Sequence, residues 1–107
     1  MIIPKLYTLN KKGEPIPATD IYHWWNMFEI SKQRIVKQER IGKSKVSTVF
    51  LGIDHNFLNR SEQAPILWET MVFGGKLDQE QVRCSGSRKQ AKAMHQRMVK
   101  RVKKGQI

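Results

Sequence analysis

The residues of this chain that could support acid–base or metal chemistry are two carboxylates and two imidazoles. Asp54 and His55 follow an apolar segment, Glu69 lies inside the next apolar segment, and His95 lies near the C-terminus. Carboxylate and imidazole ligands together bind divalent metals, so a metal-dependent hydrolase is one hypothesis. Each residue also has an ordinary structural role: Asp54 caps a loop, Glu69 pairs with a basic side chain, and His95 packs between helix and sheet.

Established catalytic motifs are missing from the sequence. It has no glycine-rich phosphate loop, no paired CxxC, no Gly-x-Ser-x-Gly elbow and no His-Glu-x-x-His helix. The single cysteine, Cys84, cannot form an intrachain disulfide, which fits a reducing cytosol. We therefore predict a protein that is not an enzyme, with no catalytic residue, no metal site and no cofactor.

The overall charge is the strongest indication of a partner. Of the 107 residues, 20 are Lys or Arg and 9 are Asp or Glu, which gives a net charge of +11. Such a balance favours an anionic partner, with nucleic acid first and an acidic protein second. A basic surface kept for solubility is the alternative explanation. We expect no membrane partner, because no apolar run approaches the ~20 residues that a membrane-spanning helix needs.

Most of the net positive charge, +9 of +11, lies in the C-terminal segment, where no acidic residue follows Glu80. Helical spacing puts Lys89, Lys92, Lys100 and Lys103 along one side, opposite a methionine stripe. A helix of this kind can follow a row of phosphates. The predicted binding residues of this first patch are Arg88, Lys89, Lys92, Arg97, Lys100, Arg101, Lys103 and Lys104.

A second basic patch lies in the middle of the chain, where Glu39 is the only acid. The patch begins at Lys32. Its predicted binding residues are Arg34, Lys37, Arg40, Lys43 and Lys45. Contact with phosphate is one explanation. The other is an edge strand whose charges discourage sheet-to-sheet aggregation.

The N-terminal region predicts a short strand at 6–9, a turn at Gly13 and an extended segment containing Pro15 and Pro17. Thr19 or Asp20 can cap a helix that begins near Ile21. That helix carries a strongly aromatic face, formed by Ile21, Trp24, Trp25 and Phe28. We expect this face to anchor the helix on a sheet, although a stacking platform or partner groove would use the same spacing.

The remaining elements are strands and one long helix. Strands are predicted at 34–41, with Ile35 and Ile41 on one face, at 46–53 in the centre, at 66–73 and at 82–84. A helix over 88–103, capped by Ser85 or Ser87, has a narrow apolar stripe of Ala91, Met94, Met98 and Val102. Glu69 is expected to pair with Arg83 on the following strand. The predicted fold is α+β: one domain over 1–107, an antiparallel sheet of four or five strands, and two helices packed on one face, with the open face polar and basic.

Two segments carry a resemblance to known proteins. They are Val46-Ser47-Thr48-Val49-Phe50-Leu51-Gly52-Ile53-Asp54-His55-Asn56-Phe57 and Pro65-Ile66-Leu67-Trp68-Glu69-Thr70-Met71-Val72-Phe73-Gly74-Gly75. The chain resembles a family of small uncharacterised proteins encoded by tailed bacteriophages and prophages. The family has an aromatic residue where this chain has Cys84, which argues against a functional role for that position. The resemblance implies a phage-encoded protein in the cytosol of a bacterial host, and it implies no reaction.

Charge and resemblance together give the predicted function. We expect a non-enzymatic accessory protein that binds nucleic acid through phosphates, with little sequence dependence. The alternative is a phage-encoded inhibitor that binds a host defence protein complex through the same basic surface. The sequence leaves open the choice between DNA, RNA and protein, and also the oligomeric state.

Overall fold

The computed structural model describes residues 6–29, 32–54 and 64–105, and it has the predicted α+β fold. The elements, in chain order, are β1 (Tyr7–Leu9), β2 (Pro15–Pro17), α1 (Ile21–Glu29), a 3₁₀ turn (Lys32–Arg34), β3 (Ile35–Ile41), β4 (Ser44–Phe50), β5 (Ile66–Phe73), β6 (Gln81–Ser85) and α2 (Arg88–Gly105). Strands β3 to β6 form one antiparallel sheet in the order β3-β4-β5-β6, while β1 and β2 form a separate hairpin.

Strands β4 and β5 form the centre of the larger sheet, and both are rich in β-branched and aromatic residues. Val46 lies opposite Val72, and Phe50 lies opposite Trp68. All four side chains are fully buried on the face that α2 covers. The predicted central strand is therefore confirmed, although it begins at Ser44 and ends at Phe50.

Helix α2 lies across the sheet and contacts all four strands. It begins at a reciprocal cap, in which Ser87 N donates to Gln90 Oε1 at 2.7 Å and Gln90 N donates to Ser87 Oγ at 3.3 Å. The predicted apolar stripe is confirmed and gains Val99 and the fully buried His95. A narrow apolar face thus holds the helix, and every other side remains open to solvent.

Helix α1 is capped by Asp20, whose Oδ1 accepts a hydrogen bond from His23 N at 2.8 Å. Met27 joins the core beside α2, and Trp24 Nε1 donates to Gly52 O at 3.0 Å. Trp25, in contrast, is 54% exposed. The expectation that both tryptophans anchor the helix is right for Trp24 and wrong for Trp25. The side chain of Phe28 lies outside the described residues.

Strand β3 differs from its predicted pattern because its register with β4 shifts between Ile35 and Lys37. The extra residue reverses the alternation at that point. Ile41 still packs on the helix-covered side, but Val36 replaces Ile35 there, and Ile35 lies opposite Val49 on the open face. The prediction that Ile35 and Ile41 share one face is therefore wrong.

The open face of the sheet is mixed in character. It carries Arg40 and Lys45, but also Phe73, whose ring is exposed, and the half-buried Met71. The open face, predicted to be polar and basic, is therefore partly apolar.

Candidate nucleic-acid interface

The solvent side of α2 carries a row of four lysines, which we call the lysine ridge. It consists of Lys89, Lys92, Lys100 and Lys103, and all four side chains are exposed. Helical spacing keeps them on one side because the stripe from Ala91 to Val102 turns towards the sheet. Within the described part of the chain, none of the four forms an ion pair. The ridge is thus a row of charges available to an external anion.

The other cations of α2 differ in role. Arg88 donates from Nη1 to Gln33 O at 3.2 Å and from Nη2 to Ile35 O at 3.3 Å, which pins the start of the helix to the start of β3. Arg101 pairs with Glu80 at 3.6 Å on the opposite flank. These two predicted binding residues therefore have structural partners. Arg97 and Lys104 are exposed.

The second predicted patch is divided between the two faces of the sheet. Arg40 and Lys45 lie opposite each other on the open face, away from α2. Lys37 lies on the α2 side and pairs with Glu39 at 3.3 Å. Lys43 occupies the β3–β4 turn and lines a hollow of about 340 Å³ together with Val102 at the end of α2. Only Lys37 and Lys43 thus lie on the side of the lysine ridge, and Arg34 lies in the 3₁₀ turn.

A chain of three hydrogen bonds, of which the first two are fully buried, fixes α2 on the sheet. Thr70 Oγ1 lies 2.5 Å from Thr48 Oγ1, which lies 2.6 Å from His95 Nδ1, and His95 Nε2 lies 2.8 Å from Glu39 Oε1. Both threonines and His95 are completely buried. The bond from His95, with a smaller contribution from Lys37, lowers the pKa of the Glu39 carboxyl. We call these four residues the buried relay.

The relay joins hydroxyl, imidazole and carboxylate in series, an order also found in hydrolytic triads. A triad, however, needs a nucleophile that a substrate can reach. Neither threonine hydroxyl is open to solvent, and both belong to the covered face of the sheet. The arrangement is therefore suited to holding α2 in place.

The sequence alone does not predict that these four residues form one hydrogen-bonded chain. The sequence predicts that His95 packs between helix and sheet, but it marks Glu39 only as the one acid of a basic patch. The available signal was three polar residues, Thr48, Thr70 and His95, at positions whose neighbours two or four places away are core.

The four candidate metal or acid–base residues do not form one site. Glu69 lies on the open face and pairs with Arg83 at 2.7 Å, as predicted, whereas His95 is buried on the other side of the sheet. Asp54 Oδ1 accepts a hydrogen bond from Ile66 N at 2.9 Å, and His55 lies outside the described residues. Among the residues that the structure describes, no three His, Cys, Asp or Glu side chains are grouped as metal ligands.

Cys84 lies in a shallow hollow of about 510 Å³ between β6 and α2, together with Arg83, Arg97 and Gln90. Burial raises the pKa of the Cys84 thiol, and the nearby Arg97 only partly opposes that shift. The thiol is therefore largely protonated at neutral pH, which is not the state of a reactive nucleophile.

Comparison of the chain with protein-family models, with curated proteins and with solved structures gives no match in any of the three. Across the described ranges, neither helix has the length and apolar character needed to cross a membrane. The case for a function therefore depends on the surfaces described above.

Proposed function

We propose that this protein is a non-enzymatic nucleic-acid-binding module that contacts phosphates through the lysine ridge of α2. The observation that carries the proposal is the ridge itself: four exposed lysines in a row, unpaired within the described residues. A net charge of +11 supports it, because long-range attraction to a polyanion accelerates the encounter.

The dimensions of the ridge suit a nucleic-acid backbone. Lys103 lies 14 residues after Lys89, so the ridge extends over roughly 21 Å at a rise of about 1.5 Å per residue. One strand of a duplex carries a phosphate about every 3.4 Å along the axis, so the ridge spans about six phosphates. Lys37 and Lys43 add charge on the β3 side of the same surface.

The experiment compares two variants with the same change in net charge. The ridge variant, Lys92→Glu with Lys100→Glu, reverses the charge of two of the four ridge lysines. The control variant, Arg40→Glu with Lys45→Glu, reverses the charge of two cations on the opposite face. Affinity for a labelled oligonucleotide is measured by fluorescence anisotropy at several salt concentrations. Each phosphate contact contributes about −0.7 to −0.9 to the slope of log K against log salt. The ridge variant should bind more weakly, with a slope flatter by about 1.4 to 1.8 units.

The control variant should keep most of the parental slope and lose affinity only through its lower net charge. The ridge variant should lose a similar factor in affinity for oligonucleotides of unrelated sequence, because phosphate contacts carry no base information. Equal slopes for the two variants would remove α2 as the binding surface. If the parent protein binds no nucleic acid at physiological salt, the proposal fails, and an acidic protein target such as a host defence complex takes its place.

A further inference from the structure

Helix α1 has an aromatic surface that is exposed in the part of the chain that the structure describes. Tyr22 is 79% exposed, Ile21 62% and Trp25 54%. Ile21 and Trp25 are one helical turn apart, with Tyr22 beside them, so the three side chains form one patch. Tryptophan is usually well buried in folded proteins, and its exposure on an ordered helix indicates a binding role.

The patch is not needed to seat α1. Met27 lies in the core and Trp24 donates a hydrogen bond to Gly52 O, so these two residues hold the helix without help from the exposed side chains. Trp25 lies about 100° further round the helix axis than Trp24 and points away from those contacts. Its ring is therefore available to a ligand.

Exposed lysines lie on or next to the elements that α1 contacts. The helix packs against β1 and against the 3₁₀ turn. The β1–β2 turn carries Lys11 and Lys12, the 3₁₀ turn carries Lys32, and all three are exposed. A cleft of about 240 Å³ lined by Lys11, Lys12 and Arg88 connects the hairpin to the beginning of α2, where the lysine ridge starts.

We infer that Tyr22 and Trp25 stack on unpaired bases, so that the nucleic acid bound by this protein is single-stranded. The inference rests on the proposed function, because the lysine ridge and the basic cleft hold the backbone while the rings receive the bases. Exposed aromatic rings beside a basic groove are the recurrent means of holding single strands. Bases inside a duplex are stacked on each other, so a duplex can use the ridge but not the rings.

The test uses three probes of equal length: a thymidine oligonucleotide, a strand of abasic sites, and a duplex. The variants are Trp25→Ala and Tyr22→Ala, with Ile21→Ala as a control that removes an exposed apolar side chain but no ring. Affinities are measured at several salt concentrations, and thermal melting confirms that each variant folds. Trp25→Phe, which keeps a ring, should recover most of the affinity.

For Trp25→Ala we expect Kd for the thymidine strand to rise between about 5-fold and 150-fold, the range seen when a stacking ring is removed. Kd for the abasic strand and for the duplex should stay unchanged, as should the salt slope, because no phosphate contact is lost. Ile21→Ala should resemble the parent. Reversal of the ridge flattens the slope for every probe, so the two surfaces give different signatures.

Parental affinity of Trp25→Ala and Tyr22→Ala for the thymidine strand would overturn the stacking role and leave the phosphate ridge intact. Equal parental affinity for the thymidine and abasic strands would also overturn it. If the parent binds none of the probes, the proposed function and this inference fail together, and the aromatic patch is then a surface for a protein partner.

Discussion

Three buried threonines of this chain differ in how many hydrogen bonds their hydroxyl groups make. Thr48 bonds both Thr70 and His95, whereas the one bond of the Thr70 hydroxyl among the described residues is to Thr48. The hydroxyl of Thr8 has no partner among the residues that the structure describes. All three are at most 1% exposed and lie on strands. Replacement by valine, which has the same shape, isolates the contribution of the hydroxyl group.

The expected changes in the free energy of unfolding follow the number of bonds lost. One hydrogen bond contributes about 0.5 to 1.5 kcal/mol net, and a partner left buried and unpaired adds to the loss. Thr70→Val should therefore cost about 1 kcal/mol. Thr48→Val should cost about 2 to 3 kcal/mol, because it leaves both Thr70 and His95 Nδ1 without a partner. Thr8→Val should be neutral or stabilising, because it removes a buried polar group that makes no bond.

Urea denaturation followed by circular dichroism measures the three values on one scale, provided that the m-value stays constant. The order Thr8, then Thr70, then Thr48 is the result that the buried relay requires. Equal losses at Thr48 and Thr70 would mean that the His95–Thr48 bond contributes nothing. A loss at Thr8 as large as that at Thr48 would show that shape, not hydrogen bonding, determines the order.

Two further predictions concern the carboxylates. The pKa of Glu39 is lowered from its usual 4.5, chiefly by the bond from His95. Its contribution to stability is therefore complete above about pH 4.5 and is lost as pH falls through the lower folded pKa. The free energy of unfolding of Glu39→Gln, measured by urea titration across that range, should depend less on pH than that of the parent; identical profiles would contradict the assignment. Glu69→Ala should cost only about 1 kcal/mol: the side chain of Glu69 is 16% exposed, but the partner left behind, Arg83, is 36% exposed and stays solvated on the open face. A loss of several kcal/mol in the same assay would mean that the pair is buried. No loss at all would mean that the pair does not form.

The sequence was sufficient for elements whose ends carry strong local signals. The bounds of β5 were predicted to the residue, because Pro65 and the Gly74-Gly75 pair flank a β-branched and aromatic run. Gly74 has a φ of 83°, and a Cβ there would collide with the carbonyl oxygen of Lys43. The Glu69–Arg83 pair was also predictable, since a carboxylate in an apolar strand requires a cation on a neighbouring strand.

The sequence does not predict which face a side chain lies on where a shift of one residue changes the answer. A single extra residue in β3 moves Ile35 to the open side, and alternation alone gives no sign of it. Trp24 and Trp25 are adjacent and equally apolar, so their spacing cannot show which of them faces the core. The relay between His95 and Glu39 joins residues 56 positions apart, and it emerges only when α2 is placed on β3.

The buried relay also bears on the lysine ridge, because both belong to the same helix. The apolar stripe of α2 relies on Met94 and Met98, and methionine adapts to many packings without specifying one. Hydrogen bonds are directional, so the bonds from His95 to Thr48 and Glu39 fix the rotation of α2 about its axis. Lys92 precedes His95 by three residues and Lys103 follows it by eight, so that rotation also fixes where the ridge faces. The polar core of this small domain thus sets the direction in which its basic surface is presented.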